Sequence, residues 1–280
     1  MNLKDLLKSI KNEFQKYNLD SPCLEAEIII SEVLEIERYK IYVENIEISE
    51  SKYKKIKELV EKRKKRIPLQ YLIKKVHFYD CEFKIEKGVF IPRPETELLV
   101  EKTIDIYRQY FYPKKVKILD IGTGIGNISI ALAKNIENCE VIGVDISKKS
   151  LRIAYENLIL NKLEKKVKFL LSDIYENIDD KFELIVSNPP YIKEEQFEKL
   201  PEEVKKEPKK ALIAGKDGLK IIKKILKDVS YYLKKNGFLI IEIGNNQVKE
   251  IKKIIPKGLY LLEVKKDLSS FDRIMVFKKI

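Results

Sequence analysis

The sequence predicts an α/β fold: a doubly wound, seven-stranded, mostly parallel sheet that follows a small helical domain. Two observations carry this prediction. From residue 115 onward, short apolar segments alternate with amphipathic helical segments, which is typical of parallel strands covered on both faces. Residues 1 to about 73 show only helical periodicity, without the alternation of a half-buried strand.

Helical signals organise the first 74 residues. Ser21 precedes a proline at the first position of one helix, Ser49 begins another helix, and Pro68 ends it. Residues 75–92 then hold three short strand-like segments around Gly88, which predict a β-hairpin linker. We therefore predict a helical docking domain over 1–74, a hairpin over 75–92 and an α/β domain over 93–280.

Seven apolar segments are the predicted strands of the α/β domain. Five of them, 116–121, 141–146, 167–171, 184–186 and 238–243, are expected to be parallel because helical segments separate them. One such helix is predicted over 219–233, with Gly237 as its stop. The last two strands, about 259–267 and 273–279, are too close for a helical crossover and are predicted to be antiparallel.

Composition excludes several classes of protein. No apolar run approaches the roughly 20 residues of a membrane span, and the first residues lack the pattern of a signal peptide, so a cytoplasmic protein without membrane contact is expected. The three cysteines are widely spaced and His77 is the single histidine, which argues against a disulfide framework and against a metal site. A monomer is the default expectation.

The net charge of +12 raises the possibility of a nucleic-acid partner. The first 90 residues hold 19 basic and 16 acidic side chains, a balance of only +3, so the excess is spread along the chain. Lysine-rich solvated faces account for this distribution. No direct, sequence-specific contact with nucleic acid is therefore predicted.

A glycine-rich turn follows the first predicted strand. Glycines stand at 122, 124 and 126, and Asp120 lies two residues before the first of them. A nicotinamide dinucleotide site would need its third glycine at position 127, which is Asn127. The spacing is instead that of an S-adenosylmethionine (AdoMet) site, where the turn from Gly122 through Thr123, Gly124 and Ile125 to Gly126 lets backbone approach the cofactor.

Two further acids stand at the ends of the next strands. Asp145 follows the second strand about twenty residues on, where a carboxylate can accept hydrogen bonds from both ribose hydroxyls. Asp173 and Ile174 follow the third strand, where they can flank an adenine ring. Each acid alone is more often a helix cap, but the three strand ends together predict an AdoMet site.

The fourth strand ends in Asn188, Pro189, Pro190 and Tyr191. This N-P-P-Y motif is shared by enzymes that methylate planar NH2 groups, either adenine N6 or glutamine amides. The Asn188 side-chain oxygen and the Pro189 carbonyl can hold both N–H bonds of such a group, and Tyr191 can pack its ring against it. These residues are the predicted catalytic and substrate-binding set, and the motif alone leaves both substrates open.

The flanking chain resembles one family. Residues 67–101 contain PRPETE before the glycine turn, and the chain continues with ILDIGTGIGNISIALA (118–133), VDIS (144–147) and SNPPYI (187–192). Glu207-Pro208, Ala211-Leu212, Gly215 and Asp217-Gly218-Leu219 follow. This combination is similar to that of the peptide chain release factor N5-glutamine methyltransferases, in which a helical domain and a hairpin precede a Rossmann-like, AdoMet-dependent methyltransferase domain.

The resemblance implies a substrate, a cofactor and a site. The substrate would be the glutamine of the Gly-Gly-Gln loop in class I release factors, with AdoMet as donor, S-adenosylhomocysteine as product and no metal. The cofactor-binding residues it implies are Phe90, Gly122, Thr123, Gly124, Ile125, Gly126, Asp145, Asp173, Ile174 and Asn188. The roles of Arg93 and Glu95 stay open, as either substrate contacts or a helix start.

Three alternatives remain for comparison. An adenine-N6 methyltransferase acting on DNA or RNA would use the same four residues on a flipped base, but no target-recognition region is visible. A non-catalytic AdoMet-binding adaptor would have no reason to keep the N-P-P-Y motif. A nicotinamide oxidoreductase is disfavoured by Asn127.

Overall fold

The computed structural model describes residues 2–280, so Met1, the first residue of the predicted N-terminal domain, lies outside the described residues. The chain forms two compact units. One comprises the residues up to Lys74 together with Pro201–Lys206, and the other comprises Lys75–Leu200 and Glu207–Ile280. The predicted helical domain therefore acquires a six-residue segment from far along the chain.

The first unit is helical. Its helices are α1 (Leu3–Lys16), α2 (Pro22–Leu34), α3 (Lys40–Val43), α4 (Glu50–Lys64) and α5 (Leu69–Ile73). Ser49 caps α4 by accepting a hydrogen bond from the Lys52 amide, whereas Pro22 supplies the pre-set backbone angle that begins α2. Apolar faces of α1, α2 and α4 bury a common core that includes Phe14, Ile29 and Ile56.

A buried arginine joins α2, α4 and the segment 201–206 within this unit. Arg63 is 4% exposed and makes a two-point contact with Glu25, at 2.6 Å from Nε and 3.1 Å from Nη2. Its Nη1 lies 3.0 Å from Oε1 of Glu203, and Arg66 reaches the same oxygen at 2.9 Å. One guanidinium therefore neutralises carboxylates from two distant parts of the chain.

The second unit begins with a hairpin, β1 (Lys75–Phe78) and β2 (Cys81–Lys84). The predicted third strand-like segment at 89–91 is not a strand. A 3-10 turn over Pro94–Thr96 then leads into α6 (Glu97–Tyr110). Proline and acidic residues at this start are suited to a helix N-terminus, where the backbone amides lack internal partners.

A seven-stranded sheet forms the centre of the second unit. Its strands are β3 (Val116–Ile121), β4 (Cys139–Asp145), β5 (Val167–Leu171), β6 (Phe182–Ser187), β7 (Leu233–Glu242), β8 (Leu259–Lys266) and β9 (Asp272–Lys279). The order is β5-β4-β3-β6-β7-β9-β8, and β9 runs antiparallel to β7 and β8. The predicted fold class and the antiparallel final pair are both confirmed.

Helices α7 (Asn127–Asn135), α8 (Lys148–Leu160), α9 (Lys220–Tyr232) and α10 (Val248–Lys252) complete the unit. The prediction that Gly237 stops a helix was wrong, because α9 ends at Tyr232 and Gly237 lies inside β7. A Cβ at Gly237 would stand 2.9 Å from the carbonyl oxygen of Glu183, so close backbone approach explains this glycine. No helix of residues 2–280 is long and apolar enough to cross a bilayer.

Candidate active site

The site lies where β3 and β6 end side by side. These strands are parallel neighbours, with Ile121 paired to Ser187, and the Ser187 hydroxyl donates to the Ile121 carbonyl at 2.8 Å. Since the strand order reverses at this point of the sheet, the loops after β3 and β6 border a crevice, which is where doubly wound sheets bind ligands. The glycine-rich turn and the N-P-P-Y motif therefore begin at adjacent positions.

The glycine-rich turn has two kinds of glycine. All three adopt positive φ, at +75° for Gly122, +56° for Gly124 and +84° for Gly126. A Cβ at Gly122 or Gly124 would have nothing within 4 Å, whereas a Cβ at Gly126 would lie 2.8 Å from the Phe169 ring. The first two glycines thus border open space, and the third is needed for packing. Thr123 and Ile125 between them are buried.

Asp120 is buried beneath this turn. Its Oδ2 accepts hydrogen bonds from the hydroxyls of Thr123 and Ser129, both at 2.7 Å. Within residues 2–280, its Oδ1 is a buried acceptor that no donor reaches. Burial raises the pKa of Asp120 to about 6, and the two hydroxyls offset part of that rise.

Asp145 at the end of β4 holds the turn from the other side. Its Oδ2 accepts from the Gly124 amide at 2.9 Å and its Oδ1 accepts from the Ser147 amide at 2.8 Å. Burial raises the pKa of Asp145, and these amide contacts work against the rise. Each carboxylate oxygen has a second lone pair, so the group can still accept hydrogen bonds from a ligand.

The pair after β5 is less closely linked to the turn. The Asp173 carboxylate pairs with Lys224 at 2.9 Å on the surface. Ile174 has a left-handed backbone (φ +58°) and buries its side chain in the core cluster that contains Val144 and Leu219. The predicted adenine contact of these two residues stays a prediction.

The N-P-P-Y residues are joined to two side chains that the sequence analysis missed. Asn188 donates from Nδ2 to the Thr96 hydroxyl oxygen at 2.8 Å, and Thr96 donates to Oε2 of Glu242 at 2.7 Å. The Tyr191 hydroxyl donates to Oε1 of the same carboxylate at 3.2 Å. Pro189 is buried and Pro190 half-buried. Glu242 could have been noticed as the single acid within the apolar segment 238–243.

Glu242 is only 1% exposed, and this burial raises its pKa to about 7. Hydrogen bonds from Thr96 and Tyr191 and the charge of Arg273 lower it, whereas Glu95 raises it. The carboxylate therefore changes its protonation state near neutral pH. Burial, then the neighbouring Glu242 charge, raises the pKa of Tyr191, which keeps that phenol protonated.

Arg93 has a structural partner. Its guanidinium forms an ion pair with the buried Glu207 and stands over the Phe90 ring at 5.0 Å. Glu207 also accepts from the Ile91 amide at 3.0 Å. The Glu207-Pro208 segment thus fixes the start of the PRPETE stretch, and Phe90 is half-buried beside it.

A cavity of about 800 Å³ adjoins Tyr191 rather than the glycine turn. Gln247 shapes its wall by donating to the carbonyls of Tyr191 and Gly218, both at 3.1 Å, and by accepting from the Gly244 amide at 2.8 Å. The lining comprises residues 191–193, 196, 199, 200, 217, 219, 223, 244–247, 250, 253 and 254.

Comparison with known proteins places the chain in a family. The description "PrmC N-terminal domain" matches residues 5–73, and "Methyltransferase small domain" matches residues 82–216. The release factor glutamine methyltransferase of Fusobacterium nucleatum is 41% identical, covering 98% of this chain and 82% of that protein. The enzyme of that name from Thermodesulfovibrio yellowstonii is 39% identical, covering 100% of this chain and 99% of that protein.

Solved structures agree on the fold. The 16S rRNA methyltransferase RsmC of Thermus thermophilus, solved with AdoMet and guanosine, has a TM-score of 0.52 at 19% identity, over 74% of this chain and 50% of that chain. A methyltransferase from Pyrococcus furiosus has a TM-score of 0.53 at 20% identity, over 70% and 89%. These structures show the fold, and the relatives that are about 40% identical along nearly the whole chain show that it belongs to the release factor glutamine methyltransferase family.

Proposed function

We propose that the protein transfers the methyl group of AdoMet to the side-chain amide nitrogen of the glutamine in the Gly-Gly-Gln loop of class I release factors. The pairing of Ile121 with Ser187 is the observation that supports this most strongly. Because of this pairing, the glycine turn and the N-P-P-Y motif begin at neighbouring strand ends, so the methyl donor and the methyl acceptor can meet there. Family membership supplies the substrate.

The glycine turn fits AdoMet. Gly122 and Gly124 border open space. Oδ1 of Asp120 is buried, and no donor among residues 2–280 forms a hydrogen bond with it. Such an acceptor suits a ligand that carries an ammonium group, because a buried polar atom without a partner is costly. Asp145 retains acceptor capacity for ribose hydroxyls. When bound, AdoMet supplies an electrophilic methyl group on its sulfonium centre.

The acceptor side orients a poor nucleophile. An amide nitrogen is unreactive because its lone pair is delocalised, so its position must be fixed with respect to the methyl group. Oδ1 of Asn188 and the carbonyl oxygen of Pro189 would each accept a hydrogen bond from one N–H group of the glutamine amide. Pro190 brings no amide donor that would compete. Tyr191 would pack its ring on the flat amide, and the surplus proton leaves readily once the new N–C bond forms.

Further assignments belong to the same proposal. Phe90, Thr123, Ile125, Asp173 and Ile174 would complete the cofactor site, and the helical unit would bind the release factor. The nearly balanced charge of the first 90 residues suits a protein partner better than a polynucleotide. We expect a cytoplasmic monomer that uses no metal and makes no sequence-specific contact with nucleic acid.

A labelling experiment tests the reaction. The protein is incubated with methyl-labelled AdoMet and, separately, with a class I release factor, its Gln-to-Ala loop variant, duplex DNA and ribosomal RNA. We expect label in the intact release factor alone. Label in either nucleic acid without label in the release factor would refute the proposal and favour the alternative of a nucleic-acid methyltransferase acting on adenine N6.

The Asn188→Ala variant tests the site. We expect kcat to fall by about 100-fold or more, because orientation of the nitrogen is lost, while the Kd for AdoMet rises only a few-fold. Equal losses in both quantities would make Asn188 a cofactor ligand rather than an acceptor-binding residue. Asn127→Ala, just past the glycine turn, controls for a loss of fold.

A further inference from the structure

The side chain of Asn188 is connected to a buried chain of hydrogen bonds that the proposed reaction does not itself require. Thr96 and Glu242 are each 1% exposed. Thr96 donates to Oε2 of Glu242 at 2.7 Å, and Nδ2 of Asn188 donates to the Thr96 oxygen at 2.8 Å. Thr96 ends the 3-10 turn that precedes α6, Asn188 follows β6, and Glu242 is the last residue of β7.

The direction of these bonds follows from donor counting. An ionised carboxylate only accepts, and a hydroxyl has a single hydrogen. When Glu242 is ionised it takes the Thr96 hydrogen, so the Thr96 oxygen can only accept from its other neighbour. The Asn188 amide must then turn its NH2 group to Thr96, because its oxygen there would face lone pairs. Its Oδ1 is left on the opposite side.

We propose that Thr96 and Glu242 are positioning residues that fix the rotation of the Asn188 amide, so that an acceptor oxygen and not an NH2 group faces the substrate. The inference rests on the proposed function of Asn188. A reversed amide would place N–H donors against the N–H donors of the glutamine and repel it. Tyr191 holds the other Glu242 oxygen, at 3.2 Å, and so helps to fix the carboxylate.

Protonation of Glu242 removes this control. A carboxylic acid can donate to Thr96, and Thr96 can then donate to Oδ1 of Asn188, which permits the reversed amide. The charged or titratable groups facing Glu242 are Tyr191, Arg273 and Glu95, and Arg273 is itself paired with Asp267 at 2.9 Å. Burial places the Glu242 pKa at about 7. Activity is therefore expected to fall as the pH drops through neutrality.

The kinetic test uses Thr96→Val, which keeps the shape and removes the hydroxyl. We expect kcat for the release factor to fall about 10- to 100-fold, as for loss of a buried hydrogen bond that orients a reacting group. The KM for the release factor and the Kd for AdoMet should change less than threefold, and Thr96→Ser should restore most of the activity. Thr103→Val is the matched control, because this buried threonine lies in α6, directly after the turn that contains Thr96, and its hydroxyl donates to the Leu99 carbonyl at 2.7 Å rather than to Glu242.

A double-variant cycle separates positioning from general support. In the Asn188→Ala background, Thr96→Val should cost less than a further twofold, since the residue it acts through is gone. Glu242→Gln should lower kcat about tenfold and remove the decline in activity below pH 7, because a glutamine amide accepts or donates without regard to pH. Additive losses, or an unchanged pH profile in Glu242→Gln, would overturn the inference.

Nuclear magnetic resonance gives a readout that needs no substrate. Selective ¹⁵N labelling of asparagine side chains, with Asn188→Ala for assignment, identifies the Asn188 NH2 pair. At pH 8.5 we expect slow hydrogen exchange for this pair in the wild type, and at least tenfold faster exchange in Thr96→Val. Unaltered exchange in Thr96→Val would refute the positioning role, whether or not the release factor is the substrate. Altered exchange, combined with no transfer of methyl label to the release factor, would refute only the proposed function.

Discussion

Replacing Gly126 with alanine should destabilise the protein far more than the same change at Gly124. Both glycines have positive φ, which costs about 1–2 kcal/mol for an L-residue. At Gly124 the new Cβ meets nothing within 4 Å, but at Gly126 it would lie 2.8 Å from Cζ of Phe169 and 3.3 Å from the Ala154 Cβ. Overpacking of a core typically costs about 1–3 kcal/mol more.

Phe169 has little room to move away. It is 2% exposed, and the Tyr155 ring packs edge-on against it with centroids 5.5 Å apart. The total loss for Gly126→Ala is therefore about 2–5 kcal/mol, against about 1–2 kcal/mol for Gly124→Ala. Urea unfolding followed by circular dichroism measures both.

Ligand binding should show the reverse order of effects. Calorimetric titration with AdoMet should show at least a tenfold weaker Kd for Gly124→Ala, whose methyl group enters the open space beside the turn. Equal unfolding free energies for the two variants would refute the packing argument. Unchanged AdoMet affinity in Gly124→Ala would refute the assignment of that space to the cofactor.

Three further predictions concern buried polar groups. Arg63→Met should lower the unfolding free energy by about 3–5 kcal/mol because it leaves Glu25 without its cation and Glu203 with Arg66 alone. Arg66→Met, at a side chain 28% exposed, should cost about 1 kcal/mol or less in the same urea titration. Burial raises the pKa of Glu242 from 4.5 to about 7 in the folded state, so the contribution of this group to stability is present at low pH and lost as the pH rises through 7. Between pH 4.5 and pH 8, the unfolding free energy of Glu242→Gln minus that of the wild type should therefore rise by about 3 kcal/mol. A difference that stays constant with pH would contradict this. Gln247→Met should cost about 2–4 kcal/mol and slow turnover, since three backbone groups lose their partner: the buried Gly218 carbonyl and Gly244 amide, and the half-buried Tyr191 carbonyl. Thermal unfolding and a methyl-transfer assay check both effects, and an unchanged melting temperature would argue that water replaces the amide.

Local patterns predicted the sheet well, because the central strands β3 and β6 bury nearly every residue and therefore appear as mostly apolar runs, although the edge strand β5 leaves Lys168, Leu170 and Leu171 exposed. Gly237 shows where such reasoning ends. A glycine after a helical pattern is usually a cap, yet here the helix had already ended at Tyr232, and the glycine is explained by the Glu183 carbonyl on the neighbouring strand. That contact joins residues 54 positions apart, and sequence spacing carries no information about it.

The candidate site likewise contains residues that a local sequence motif predicts and residues that only contacts distant in sequence bring together. Asn188 and the glycine turn could be predicted as site residues from sequence because each motif is contiguous. Thr96 and Glu242 were missed because their partners lie 92 and 146 positions away along the chain. The PRPETE stretch could be explained as a capped helix start, so its sequence did not indicate that the Thr96 hydroxyl donates to Glu242 in β7.

The segment Pro201–Lys206 affects how relatives of this protein can be recombined. Glu203 accepts from both Arg63 and Arg66, so this piece of the later sequence packs with the first 74 residues. A chimaera made with a single crossover after residue 74 would combine arginines from one parent with the segment from another. Hybrid enzymes should therefore fold best when residues 201–206 are exchanged together with the N-terminal helices, which requires three crossovers. Among natural relatives, substitutions at positions 63, 66 and 203 should covary.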